Sequence, residues 1–107
     1  MKNPLALVVD DEPDLCELLS MTLERMQIDT DTCGDLECAR EKLRAGDYQL
    51  CLTDMRLPDG DGLELVAWIQ EQDLHTPVAV ITAHGNVETA VRALKLGAFD
   101  FVSKPVD

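Results

Sequence analysis

Aromatic side chains are scarce in this chain: one Trp, one Tyr and two Phe among 107 residues. Its core must therefore be aliphatic, and with 46% apolar residues there is enough material to build one. Long hydrophobic runs are also missing. Nothing approaches 18 consecutive apolar residues, and the amino terminus carries no basic-plus-apolar signal, so the expectation is a soluble cytoplasmic protein with no membrane contact. Positive charge is in short supply. Nine Lys and Arg stand against 21 Asp and Glu, and the net charge of −12 repels both nucleic acid and anionic membranes. The four cysteines, at 16, 33, 38 and 51, have no Cys-x-x-Cys spacing. Cys16 and Cys51 fall inside apolar patterns, where a free Cys acts as a small hydrophobe; neither spacing nor compartment favours a disulfide or zinc. Repeats, linkers and low-complexity tracts are absent, and the length allows one domain, 1–107.

What is present is an alternation of strand and helix patterns. Four runs rise through apolar residues and end on a reactive group: LALVVDD (5–11), LCLTD (50–54), VAVITA (78–83) and FDFVSK (99–104). A fifth, more polar run, IDTDTC (28–33), reads as an edge strand. The first helix starts at Pro13, with Glu12 and Asp14 favourable to its dipole, and carries Leu15, Leu18, Leu19, Leu23 and Met26 as one stripe. Asp35 caps a second helix carrying Leu36, Ala39 and Leu43 and closed by Gly46; a third covers 62–72; a fourth runs from Asn86 through Val87, Ala90, Val91 and Leu94 to Gly97. Short alternating units of this kind imply a parallel sheet with right-handed crossovers. The expected fold is α/β, a flavodoxin-like (CheY-like), doubly wound five-stranded sheet of order 2-1-3-4-5, with its ligand crevice between strands one and three.

That order gathers Asp10, Asp11, Asp54, Thr82 and Lys104 at one sheet edge. Three carboxylates, a hydroxyl and an ammonium there suit phosphoryl transfer around a divalent cation. Mg²⁺ prefers oxygen ligands, and Asp11 and Asp54 are expected to bind it directly, Asp10 through water, and Arg56 through its backbone carbonyl. Without a cation the carboxylates repel one another. Asp54, ending the central strand, is the expected nucleophile, forming an aspartyl phosphate. Lys104 and the cation neutralise the phosphoryl oxygens, Thr82 donates its hydroxyl to the group, and Ala83 leaves it room. His75 is expected at the surface; His84 lies near the site, either as a modulator of the phosphoryl lifetime or as a plain loop residue.

Asp10-Asp11, Asp54, Thr82 and Lys104-Pro105 together resemble the signature of response-regulator receiver domains of two-component signalling, over the whole chain. The segments LTDMRLPDGDGLELV (52–66) and TAHGNVETAVRALKLGAFDFVSKPVD (82–107) resemble receivers of the NtrC class, activators of sigma-54 transcription. The resemblance implies phosphotransfer from a sensor histidine kinase to Asp54, a domain that is a phosphoacceptor rather than an enzyme acting on a separate substrate, and no organic cofactor. It also implies a cis Lys104–Pro105 bond and a switch in which Thr82 moves toward the phosphoryl group and Phe101 fills the space. Phe101 lacks the hydroxyl of the Tyr often found there, so its role is steric.

Two other readings share the fold. An aspartyl-nucleophile phosphatase expects an acid two residues after the nucleophile, where Arg56 stands; a flavin module expects a Ser/Thr/Gly phosphate loop, where DDEPD stands. The family fold has a fifth helix that this chain lacks, so the domain reads as truncated before its final helix. Self-association is expected through the helix-four/strand-five face, where Ala93 and Leu96 lie off the core stripe. A second candidate is the sheet face left open, expected to involve Leu5, Leu7, Val9 and their neighbours on strands three to five.

Overall fold

The computed structural model describes residues 3–83 and 85–104. Five strands, β1 (Leu5–Val9), β2 (Asp29–Cys33), β3 (Leu50–Thr53), β4 (Val78–Thr82) and β5 (Asp100–Ser103), form one parallel sheet of order β2-β1-β3-β4-β5. This is the flavodoxin-like order expected, with the acidic β2 at the edge. Register is continuous across the sheet: Val8 faces Leu52, Leu52 faces Ala79, and Ala79 faces Asp100. A short antiparallel ribbon, Arg56–Leu57 with Gly60–Asp61, follows β3 and has no counterpart in the sequence-based expectation.

Each helix begins where its sequence allows. α1 (Pro13–Arg25) opens on proline, whose missing N–H has no intrahelical partner there in any case. α2 (Leu36–Ala45) is capped by Asp35, which accepts from the Cys38 N–H; α3 (Gly62–Glu71) and α4 (Val87–Leu96) start with capping boxes, Asp61 with Glu64 and Asn86 with Thr89. Gly97 stops α4 at φ 120°, a backbone that side chains rarely adopt.

Alternation along the strands divides the core. Leu7 and Val9 point to the side of α2, α3 and α4, packing with Leu36, Leu65, Val66 and Ile69, while Ala6 and Val8 meet Cys16 and Leu23 of α1. Leu7, Leu36, Leu65 and Ile69 are all less than 2% exposed, each worth about 1.5–3 kcal/mol relative to exposure.

Packing overturns several expectations. α4 is turned away from its predicted orientation: Ala93 is fully buried and Leu96 packs on the core, while Val87, Val91 and Leu94 are 81%, 43% and 49% exposed. The small side chain of Ala93 allows close approach to α3 and β5, and that contact outweighs burial of the bulkier stripe. On α1 the buried residues are Cys16 and Leu23, and Leu18 and Met26 are exposed. Leu7 and Val9 are not on the thinly covered sheet face. Register assigns that face to Leu50, Leu52, Ile81 and Val102, beside Ala6 and Val8. Finally, Cys33 and Cys38 form a disulfide, because the turn from β2 into α2 brings their Cα atoms to 5.6 Å. Cys16 and Cys51 are free and buried, as expected.

Candidate functional site

Asp54 follows β3 directly and is held by its own backbone. Its N–H donates to Val9 O at 2.9 Å, and its carbonyl accepts from Thr53 Oγ1 at 2.9 Å. Its Oδ1 accepts the Met55 N–H at 2.7 Å. Asp10, at the end of β1, is arranged alike: Oδ1 accepts the Glu12 N–H at 2.9 Å, and the backbone N–H donates to Cys33 O at 2.9 Å. Each carboxylate thus has one oxygen engaged by backbone and presents the other to the centre.

Lys104 fills that centre. Its Nζ lies 2.9 Å from Asp10 Oδ2, 3.3 Å from Asp54 Oδ2 and 3.6 Å from Glu12 Oε1. The Lys104, Asp10 and Asp54 side chains are only 9%, 3% and 6% exposed, whereas Glu12 is 65% exposed. Burial disfavours the ammonium charge, but the hydrogen bonds and charges of Asp10 and Asp54 outweigh it and hold Lys104 above the ordinary lysine range. The Lys104 N–H also donates to Thr82 O at 2.7 Å, which fixes its backbone to the end of β4.

Three oxygen donors, one each from Asp10, Glu12 and Asp54, lie within 4.8 Å of one another. This hard, all-oxygen set suits Mg²⁺ or Ca²⁺ and offers nothing to a thiolate-seeking metal. Glu12 was not anticipated as a donor; its place before Pro13 suggested only a helix-start charge. Asp11 is exposed and lines the adjoining pocket of about 500 Å³ with Asp10, Pro13, Cys16 and Cys33. In that wall the Cys16 thiol donates to Asp10 O at 3.3 Å, and burial, then the Asp10 charge, push its pKa up. Arg56 opens the short ribbon and is exposed, as are Ala83 and His75.

Thr82 is fully buried and Phe101 half-buried against the core. Both border Gly85, where an added Cβ would meet the edge of the Phe101 ring and, at 3.2 Å, the Thr82 methyl. Gly62 is equally constrained: a Cβ there would collide with the backbone carbonyl of Asp54. Neither glycine carries a local sequence signal for these contacts. Asp59 was also unforeseen. Its carboxylate accepts the N–H groups of Leu36 and Glu37 at 2.8 and 3.1 Å, tying the segment after Asp54 to the start of α2, and those bonds lower its pKa despite some desolvation. The expected cis Lys104–Pro105 bond and His84 lie outside the described residues.

The family profile for response regulator receiver domains matches residues 6–107. The whole chain is 57% identical over 107 residues to the response regulator protein PilR of Pseudomonas aeruginosa, and spans 24% of that protein, about a quarter of its length. The fold is similar to the beryllofluoride-activated NtrC4 receiver domain dimer, with TM-score 0.91, 39% identity and coverage of 100% of this chain and 87% of that one. It is also similar to the response regulator TrrA of Thermotoga maritima in complex with Mg(2+)-BeF, with TM-score 0.86, 29% identity and coverage of 97% and 89%. The chain belongs to the receiver domains of two-component response regulators, in company with relatives of the NtrC class.

Proposed function

We propose that Asp54 is the phosphoacceptor of this receiver, loaded by a sensor histidine kinase. The observation carrying this reading is the pair of buried carboxylates, Asp10 and Asp54, sharing the Lys104 ammonium at a strand-end edge. Asp54 Oδ2, the oxygen not held by the Met55 N–H, attacks phosphorus; the O–P bond forms as the N–P bond of a phosphohistidine breaks, and the imidazole leaves with the electron pair. Asp11 and Asp54 would hold a Mg²⁺ ion directly, Asp10 through water and Arg56 through its backbone carbonyl, with Glu12 as a further oxygen donor beside Asp10 and Asp54; the ion's charge would help neutralise the transferring phosphoryl group. Lys104, already 3.3 Å from Asp54 Oδ2, is placed to pair with a phosphoryl oxygen.

Thr82 then turns toward the phosphoryl group and Phe101 follows, shifting a two-state equilibrium whose output is the α4/β5 face. The exposed Val87, Val91, Leu94 and Phe99 give that face an apolar surface for self-association. In the parent regulator this step would control a cytoplasmic sigma-54 transcriptional activator. Among the described residues no helix is long and apolar enough to cross a membrane. The test is incubation with acetyl phosphate and Mg²⁺ followed by intact mass. Wild type gains one phosphoryl group and Asp54→Asn gains none; equal labelling of the variant refutes the assignment. Turnover of small phosphate esters would favour the phosphatase reading instead.

A further inference from the structure

The Cys33–Cys38 disulfide lies where a covalent change reaches the acidic edge. Cys33 ends β2, and its carbonyl accepts the Asp10 N–H at 2.9 Å, so the residue that pairs with Lys104 is held in part by this cysteine's backbone. Cys38 sits in the first turn of α2, where its N–H donates to Asp35 Oδ1 at 2.8 Å. The same turn is gripped from the other side by Asp59, five residues after Asp54. The bond therefore joins the strand that positions Asp10 to the helix start tied to the Asp54 loop. Cys33 is buried and Cys38 half-buried, so Cys38 offers a sulfur that a small thiol can attack, and Gly34, which follows Cys33, has open space where a side chain would stand.

We propose that Cys33 and Cys38 form a redox modification site that sets how firmly Asp10 is held, and through it the readiness of the acidic site. The effect on phosphoryl transfer rests on the assignment of Asp54 as acceptor. Oxidation proceeds by thiol–disulfide exchange with a low-molecular-weight disulfide. One cysteine thiolate attacks that disulfide and releases a thiol; the second cysteine displaces the other thiol from the mixed disulfide. Two protein thiols are oxidised, one disulfide is reduced to two thiols, and the protons lost by the cysteines are taken up by the leaving thiolates. A bond of this kind in a reducing compartment is transient and sensing rather than structural.

The test uses the whole chain equilibrated with oxidised or reduced glutathione. Denaturing thiol capture should count two free thiols in the oxidised form, Cys16 and Cys51, and four in the reduced form. The Asp10 amide should exchange its proton more slowly in the oxidised form, and acetyl phosphate should load Asp54 about fivefold faster or more, the lower range of a typical coupling. Cys38→Ser should abolish both differences while still folding and loading. Four capturable thiols under oxidised glutathione, or equal Asp10 exchange in the two states, overturns the proposal. If neither state is phosphorylated, the Asp54 assignment fails, and the thiol count with Asp10 exchange still decides the redox site.

Discussion

Lys104→Met tests the electrostatic logic of the site most directly. Methionine keeps most of the aliphatic stem and removes the charge that sits 2.9 and 3.3 Å from two carboxylates. What remains is Asp10 and Asp54, both nearly buried, with donor oxygens within 4.8 Å. Two unit charges at that separation repel by about 3.5 kcal/mol at an effective dielectric of about 20. That figure agrees with the roughly 3–5 kcal/mol measured when one partner of a buried pair is removed. Exposed Glu12 adds little, because solvent screens it. In EDTA at neutral pH the variant should therefore lose about 3 kcal/mol, which for a domain of this size lowers the melting temperature by roughly 12–24 °C. Mg²⁺ should return more stability to the variant than to wild type, since a cation in the acidic site replaces the missing ammonium and binds only the native state. Thermal denaturation by circular dichroism, with and without Mg²⁺, measures both effects. A variant melting within about 5 °C of wild type in EDTA, or gaining no more from Mg²⁺, would refute the reasoning.

Gly62→Ala should destabilise the domain by about 1–3 kcal/mol, because the methyl meets the backbone carbonyl of Asp54, which cannot rotate away. Gly34→Ala, with nothing within 4 Å of the new methyl, should be neutral or mildly stabilising in the same denaturation series. Gly85→Ala should displace the Phe101 ring from its inward position, visible as changed ring chemical shifts before any phosphorylation; unchanged shifts would mean the ring never rests there. Burial, then the 2.7 Å hydrogen bond to Asp31 and its charge, push the Tyr48 phenol up to about 12. Its unfolded value is 10.0, so the protonated phenol's contribution is complete below pH 10 and is lost as pH rises through 12. Tyr48→Phe should cost about 1 kcal/mol at neutral pH and flatten the stability decline between pH 10 and 12.

The strand order and the convergence of Asp10, Asp54, Thr82 and Lys104 were legible in the sequence alone. Buried parallel strands are written as apolar runs, their ends are marked by the first polar residue, and short crossovers leave little freedom in topology. Helix starts at Pro13, Asp35 and Asn86 were equally local, since a cap depends on three or four neighbouring residues. What tertiary structure decided is the rotation of α4, the burial of Ala93 in place of Val91 and Leu94, the Cys33–Cys38 bond, and the entry of Glu12 into the acidic group. Periodicity identifies an apolar stripe but not which of two competing surfaces it meets. On α4, close approach through a small residue prevailed over burial of larger ones. The disulfide depends on how far a turn reverses the chain, and Glu12 joins the site because Lys104, 92 residues away in sequence, lies opposite it. Such pairings are set by distances across the fold, which no local pattern of residues encodes.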